Sequence, residues 1–86
     1  MTIIKCLLFA KVKEVINKGE YIEIELPDTE CTTNNLLKHI NEQYPQVKDV
    51  LSTCLLAINL EFLKRDEDRV IQSTDEVAII PPVSGG

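Results

Sequence analysis

The hydrophobic and polar positions change period along this chain, and the changes mark its elements. Thr2 to Phe9 (TIIKCLLF) predicts a strand with Ile4, Cys6 and Leu8 on one face. Ile3, Leu7 and Phe9 lie on the other, around Lys5. Lys11 to Gly19 reads as a connection ending at a glycine. Tyr21 to Leu26 then alternates cleanly before Pro27-Asp28, as a half-exposed strand does, so the two strands predict an N-terminal β-hairpin. Leu36, Leu37, Ile40 and Tyr44 fall on one helical face, with Thr32 or Thr33 as the cap and Pro45 as the stop. Val47, Val50 and Leu51 add a short helical turn.

The apolar run Leu55 to Ile58 is too short for a helix and predicts a central strand. Glu61 to Leu63 reads as a short strand, Lys64 to Arg69 as a charged, solvated turn, and Glu76 to Ile80 as a last strand stopped by Pro81-Pro82. The predicted order is β-β-α-β-β-β. One main helix packed across a mixed sheet is an α+β domain.

Length and composition narrow what such a domain can be. Eighty-six residues make one domain with a single two-layer core, since a chain this short buries roughly 60% of its unfolded surface. We divide it into a domain over residues 1–80 and a C-terminal tail over 81–86. The 44% hydrophobic content suits a folded chain, and the net charge of −5 is too mild for disorder. Lysines are scattered singly, which excludes the clustered cations that nucleic-acid binding needs. The apolar runs fall far short of the ~20 residues of a membrane span. Lys5 stands where a signal peptide would be apolar, so export is not expected and a cytoplasmic location is. Cys6, Cys31 and Cys54 are widely spaced and offer no metal-ligand pattern, which suggests reduced thiols, Cys6 and Cys54 acting as small buried hydrophobes. His39 has no second ligand at a telling offset and reads as a surface side chain, and the carboxylates of residues 64–69 lack the order of a calcium loop. No metal site is expected.

The chemistry is concentrated at the end: Pro81-Pro82-Val83-Ser84-Gly85-Gly86. The chain has three glycines, and two are its last residues. At about 7% glycine per position, that pair arises by chance in roughly one chain in 200. The prolines cannot extend a strand ladder and favour an extended path, so six residues form a stalk that reaches roughly 20 Å. Glycines at its tip lack a Cβ and let the terminal carboxylate of Gly86 enter a narrow channel of another protein. A carboxylate must be activated before it reacts, ordinarily by forming an acyl-adenylate with ATP. The chain has no GxxxxGK[ST] or GxGxxG loop and no nucleophile–base constellation, so activation belongs to another protein. An inert, frayed end is the competing reading of such a tail.

Three segments resemble the small, sulfur-carrier subunits of molybdopterin synthases. They are Leu7 to Glu14 (LFAKVKE follows Leu7), Ala57 to Glu61 (AINLE) and, above all, Asp75 to Gly86 (DEVAIIPPVSGG). A terminal Gly-Gly alone is shared with ubiquitin, the thiamine-pathway sulfur carrier and ubiquitin-related modifiers, whereas the combination of segments is more specific. The resemblance implies a ubiquitin-like β-grasp fold. It also implies that an ATP-consuming adenylyltransferase/sulfurtransferase adenylates Gly86 and converts it to a C-terminal thiocarboxylate. That group would enter the large synthase subunit, preceded by Pro81, Pro82, Val83, Ser84 and Gly85, and give its sulfur to cyclic pyranopterin monophosphate. Two carriers would supply the two sulfurs of the dithiolene. The small subunit would hold no cofactor of its own, the catalytic groups would belong to the large subunit, and the complex would be a heterotetramer of two small and two large subunits. The family's docking surface falls on Phe9, Phe62 and Ile80. Lys11 and Lys13 stand where many relatives carry arginine, and Ser73-Thr74 where they carry Pro-Gly. Two alternatives share the activation step: a modifier conjugated to lysines through Gly86, and a sulfur carrier for thiamine synthesis or tRNA thiolation.

Overall fold

A computed structural model describes residues 1–64 and 66–81. Among the described residues, five strands, β1 (Thr2–Leu8), β2 (Tyr21–Leu26), β3 (Leu55–Ile58), β4 (Glu61–Phe62) and β5 (Val77–Ile80), form one sheet in the order β2-β1-β5-β3-β4. β1 runs antiparallel to β2 and parallel to β5, while β3 is antiparallel to both β5 and β4. Three α-helices among the described residues, α1 (Ala10–Ile16), α2 (Thr33–Gln43) and α3 (Lys48–Leu51), accompany the sheet. This is the expected α+β domain, and its strand order and main helix are those of the ubiquitin-like β-grasp fold.

Period-two alternation decides which side of the sheet is buried. Ile4, Cys6 and Leu8 of β1, Ile22, Ile24 and Leu26 of β2, and Val77 and Ile79 of β5 all point into the core. Leu36 and Ile40 of α2 meet them from the opposite side, with Val12 and Ile16 of α1. Burial of this apolar surface, at roughly 25 cal/mol per Å², is the main source of stability.

Two expectations are corrected. The connection after β1 holds a two-turn helix, α1, whose Val12, Val15 and Ile16 carry the i, i+3, i+4 pattern. Nothing announces its start, because Phe9 at the cap offers no side-chain hydrogen bond. It ends at Asn17, in the left-handed conformation at φ 56°, and Gly19 at φ 98° completes the return to β2. Second, β3 is an interior strand but the centre of the sheet is β5, which pairs with β1 across most of the sequence. The remaining boundaries fall within a residue or two of those expected, with a 3-10 turn at Pro45–Val47 leading into α3.

The charged run before β5 is a turn, as expected, but it does more than meet solvent. Asp68 Oδ1 accepts from the Asn34 N–H at 3.0 Å, and the Thr32 hydroxyl accepts from the Asn35 N–H, so the first turn of α2 is capped from two directions. Thr33, 1% exposed, accepts from the Arg69 N–H at 3.0 Å, and its own N–H donates to the Arg69 carbonyl at 2.9 Å.

Candidate functional site

The register of the sheet builds a surface on the face away from the helices. Leu7 of β1 stands opposite Ala78 of β5, Ala78 opposite Ala57 of β3, and Ala57 opposite Phe62 of β4. Small side chains at the two inner positions and larger ones on either side leave an apolar groove of about 160 Å³. Phe9, Leu60, Ile80 and Glu76 complete its lining. Phe9 is 46% exposed and Phe62 60%, so neither belongs to the core, and Ile80 is half-buried. The three positions expected to form a docking surface are thus brought together, although Phe9, Phe62 and Ile80 lie far apart in the sequence.

Of the expected tail, Pro81 is described and half-buried, directly after the groove-lining Ile80. Pro82, Val83, Ser84, Gly85 and Gly86 lie outside the described residues. The end of β5 therefore serves two purposes, lining the groove and starting the tail.

The β4 end of the sheet is held by charge. The Arg69 guanidinium pairs with Glu61 of β4 and with Glu67, whose Oε2 accepts from Nη2 at 2.6 Å and from Nε at 2.9 Å. These carboxylates raise the Arg69 pKa above its ordinary value. Glu67 is lowered, first by accepting the Lys64 N–H and then by Arg69. On the outer face of β1, the Lys5 ammonium lies 4.3 Å from the centre of the Tyr21 ring.

The cysteines are poor candidates for chemistry. Burial pushes the Cys6 thiol from 9.0 up to about 12, and burial also raises half-buried Cys54, whose thiol donates to the Val50 carbonyl at 3.2 Å. Cys31 is buried and its thiol donates to the Pro27 carbonyl at 3.3 Å. His39 is half-buried on α2. Among the described residues, no group of three or more His, Cys, Asp or Glu side chains is placed to hold a metal ion, and no helix is long and apolar enough to cross a membrane.

A profile described as the ThiS family matches residues 6–86. The chain belongs to the ThiS family. Among ThiS-family relatives, a molybdopterin synthase sulfur carrier subunit of Dictyostelium discoideum is 55% identical over 82 residues, covering 95% of this chain and 94% of that protein. One of Chlamydomonas reinhardtii is 41% identical over 83 residues, covering 96% and 98%. The fold is likewise shared. The crystal structure of SAMP1 from Haloferax volcanii superposes with a TM-score of 0.79 at 22% identity, over 98% of this chain and 99% of the other. A chain in the complex of subunits 1 and 2 of the molybdopterin-converting factor from Helicobacter pylori does so at 0.64 and 21% identity, over 99% and 100%.

Sequence reasoning missed Leu7, Ala57, Leu60, Glu76 and Ala78 as groove residues. The signal for Leu7 was present in the apolar second face of β1. The two alanines become meaningful only once the strand order sets them side by side.

Proposed function

We propose that this chain is the sulfur carrier of a molybdopterin synthase, with Gly86 as the reacting residue. One observation carries the reading: Ile80 lines the apolar groove and Pro81 follows it at the start of the tail. A protein seated on the groove stands beside the root of the tail. The five residues from Pro82 to Gly86 reach roughly 16 Å when extended, which suits delivery of a terminal group into that protein's interior. The identity to relatives named as sulfur carrier subunits supports the same partner chemistry.

The chemistry follows from the carboxylate. The Gly86 carboxylate attacks the α-phosphate of ATP on an activating enzyme, pyrophosphate leaves, and a mixed anhydride forms. Hydrosulfide, at the sulfide oxidation level, then attacks the carbonyl carbon and displaces AMP to leave a thiocarboxylate. Sulfur is a softer and better nucleophile than the oxygen it replaces, so the tail now carries a group able to transfer sulfur to cyclic pyranopterin monophosphate held by the large subunit. The catalytic groups belong to that subunit. Support for such a partner comes from the Helicobacter pylori complex of subunits 1 and 2, one chain of which shares this fold. The assembly is a heterotetramer of two small and two large subunits, and the reaction takes place in the cytosol, where the thiols stay reduced.

Intact-mass measurement tests the reading after incubation with ATP, the cognate adenylyltransferase and a sulfur donor. The expected result is a gain equal to one oxygen-for-sulfur exchange, mapped to Gly86 and reversed on addition of the large subunit with pterin substrate. An unchanged mass with an enzyme active on another carrier overturns it, as do isopeptide-linked products on a denaturing gel in place of the thiocarboxylate.

A further inference from the structure

The turn from β3 to β4 is built from two residues in the left-handed conformation, Asn59 at φ 51° and Leu60 at φ 71°. Two-residue hairpin turns with both central residues left-handed favour Asn followed by Gly, and a bulky side chain at the second place is an outlier. The surroundings hold it there. The Asn59 N–H donates to the Glu76 carbonyl at 2.8 Å, the Asn59 Oδ1 accepts from the Glu76 N–H at 2.9 Å, and Asn59 Nδ2 donates to Asp75 Oδ1 at 3.0 Å. The clamp leaves Leu60 88% exposed, above the other exposed large hydrophobic residues described.

Leu60 lines the groove at its Glu76 end, while Phe9 and Ile80 line the opposite end, roughly 13 Å away along β5. The residue after Phe9, Ala10, is also left-handed, at φ 51°. Both ends of the groove thus carry an apolar side chain beside strained backbone, and such strain persists where surrounding structure enforces it, often at functional sites. Glu76 is the charged residue lining this groove, and its carboxylate forms no ion pair among the described residues.

We propose that Leu60 is a docking anchor for the large synthase subunit, entering an apolar socket bordered by a cation that faces Glu76. The inference rests on the proposed function. The short span from Pro81 to Gly86 requires whichever protein receives the tail to stand over the Ile80 end, and the groove runs from there to Leu60 without interruption. A chain of net charge −5 suits a partner surface with cations around its apolar socket.

The test is calorimetric titration of the large subunit from the same organism with the unaltered chain, Leu60→Gly, Leu60→Asn and Glu76→Gln. Glycine and asparagine both accept the left-handed conformation, so the thermal midpoint should hold or rise while the apolar side chain is lost. The expected result is a Kd weakened about tenfold or more for both Leu60 variants. Glu76→Gln should cost less and should flatten the dependence of Kd on salt. An unchanged Kd for both Leu60 variants overturns the inference while leaving the proposed function standing. Absence of binding by the unaltered chain overturns the proposed function, and this inference with it. Loss of self-association instead of binding to the large subunit shows that the anchor serves a second copy of this chain and also overturns it.

Discussion

Cys6 shows how burial settles the chemistry of a single residue. It lies on the inner face of β1, opposite Ile22 of β2 and Val77 of β5, with none of its surface in contact with water. Ionisation there would place a charge among apolar side chains, hence the rise from 9.0 to about 12. The unfolded chain loses this proton near the ordinary thiol value and the folded chain keeps it. Stability present at neutral pH is therefore lost as pH climbs through that window, at about 1.4 kcal/mol for each pH unit. Urea denaturation between pH 9.5 and 11 should show a shallower decline for Cys6→Ala than for the unaltered chain; equal slopes would show that Cys6 is not the titrating group. At neutral pH the same burial keeps Cys6 a protonated thiol.

At the scale of elements, the start of α2 is where local and distant parts of the chain are most tightly joined. Thr33 accepts the Arg69 N–H in a fully buried position, with its hydroxyl 3.3 Å from both Asp68 Oδ1 and the Glu67 carbonyl. Thr33→Val keeps the shape but leaves the Arg69 N–H without its acceptor, a loss of about 1–3 kcal/mol. A chain of this size should then melt lower by roughly 4–8 °C per kcal/mol, which calorimetry measures directly. An unshifted midpoint would mean that water replaces the hydroxyl. None of this was legible in the sequence. Residues 64–69 read there as a charged turn, and pattern cannot show that Asp68 and Arg69 meet a helix more than thirty positions earlier. What was legible were the elements whose faces differ strongly: the alternation of β1 and β2, and the stripe Leu36-Leu37-Ile40-Tyr44 with Thr32 as cap and Pro45 as stop. α1 was lost because two turns carry few periodic positions and its start has no capping side chain. The pairing of β1 with β5 was lost because strand order depends on how the whole core closes. The candidate site divides the same way. Phe9, Phe62 and Ile80 came from the resemblance, with the two-faced apolar pattern of β1 pointing to Phe9. Leu60 escaped because nothing in the pair Asn59-Leu60 announces a left-handed leucine.

The whole molecule separates two tasks between the two faces of one sheet. The helix-covered face provides the core, while the other face carries an apolar groove whose aromatic side chains, Phe9 and Phe62, stand outside the core and remain exposed to water. A charge introduced on the outer face should consequently affect association far more than stability. Phe62 provides the clearest case: it is 60% exposed, lies on the edge strand β4, and faces Ala57 across the ladder. Phe62→Asp should leave the far-ultraviolet spectrum of the isolated chain unchanged and its thermal midpoint within a few degrees. The carboxylate must then either be buried without a partner against the large subunit or hold the two proteins apart. Either outcome costs about 2 kcal/mol or more, a weakening of roughly thirtyfold in Kd. Calorimetric titration with the large subunit measures it. Undiminished binding would place the docking surface elsewhere on the molecule, whereas an unfolded variant would show that Phe62 supports the sheet itself. Under the proposed function the tail should be indifferent to the same substitution: if Gly86 is activated at its own carboxylate by an enzyme that grips only the last residues, adenylation should proceed at an unchanged rate, and a parallel loss would mean that the activating enzyme reads the same groove.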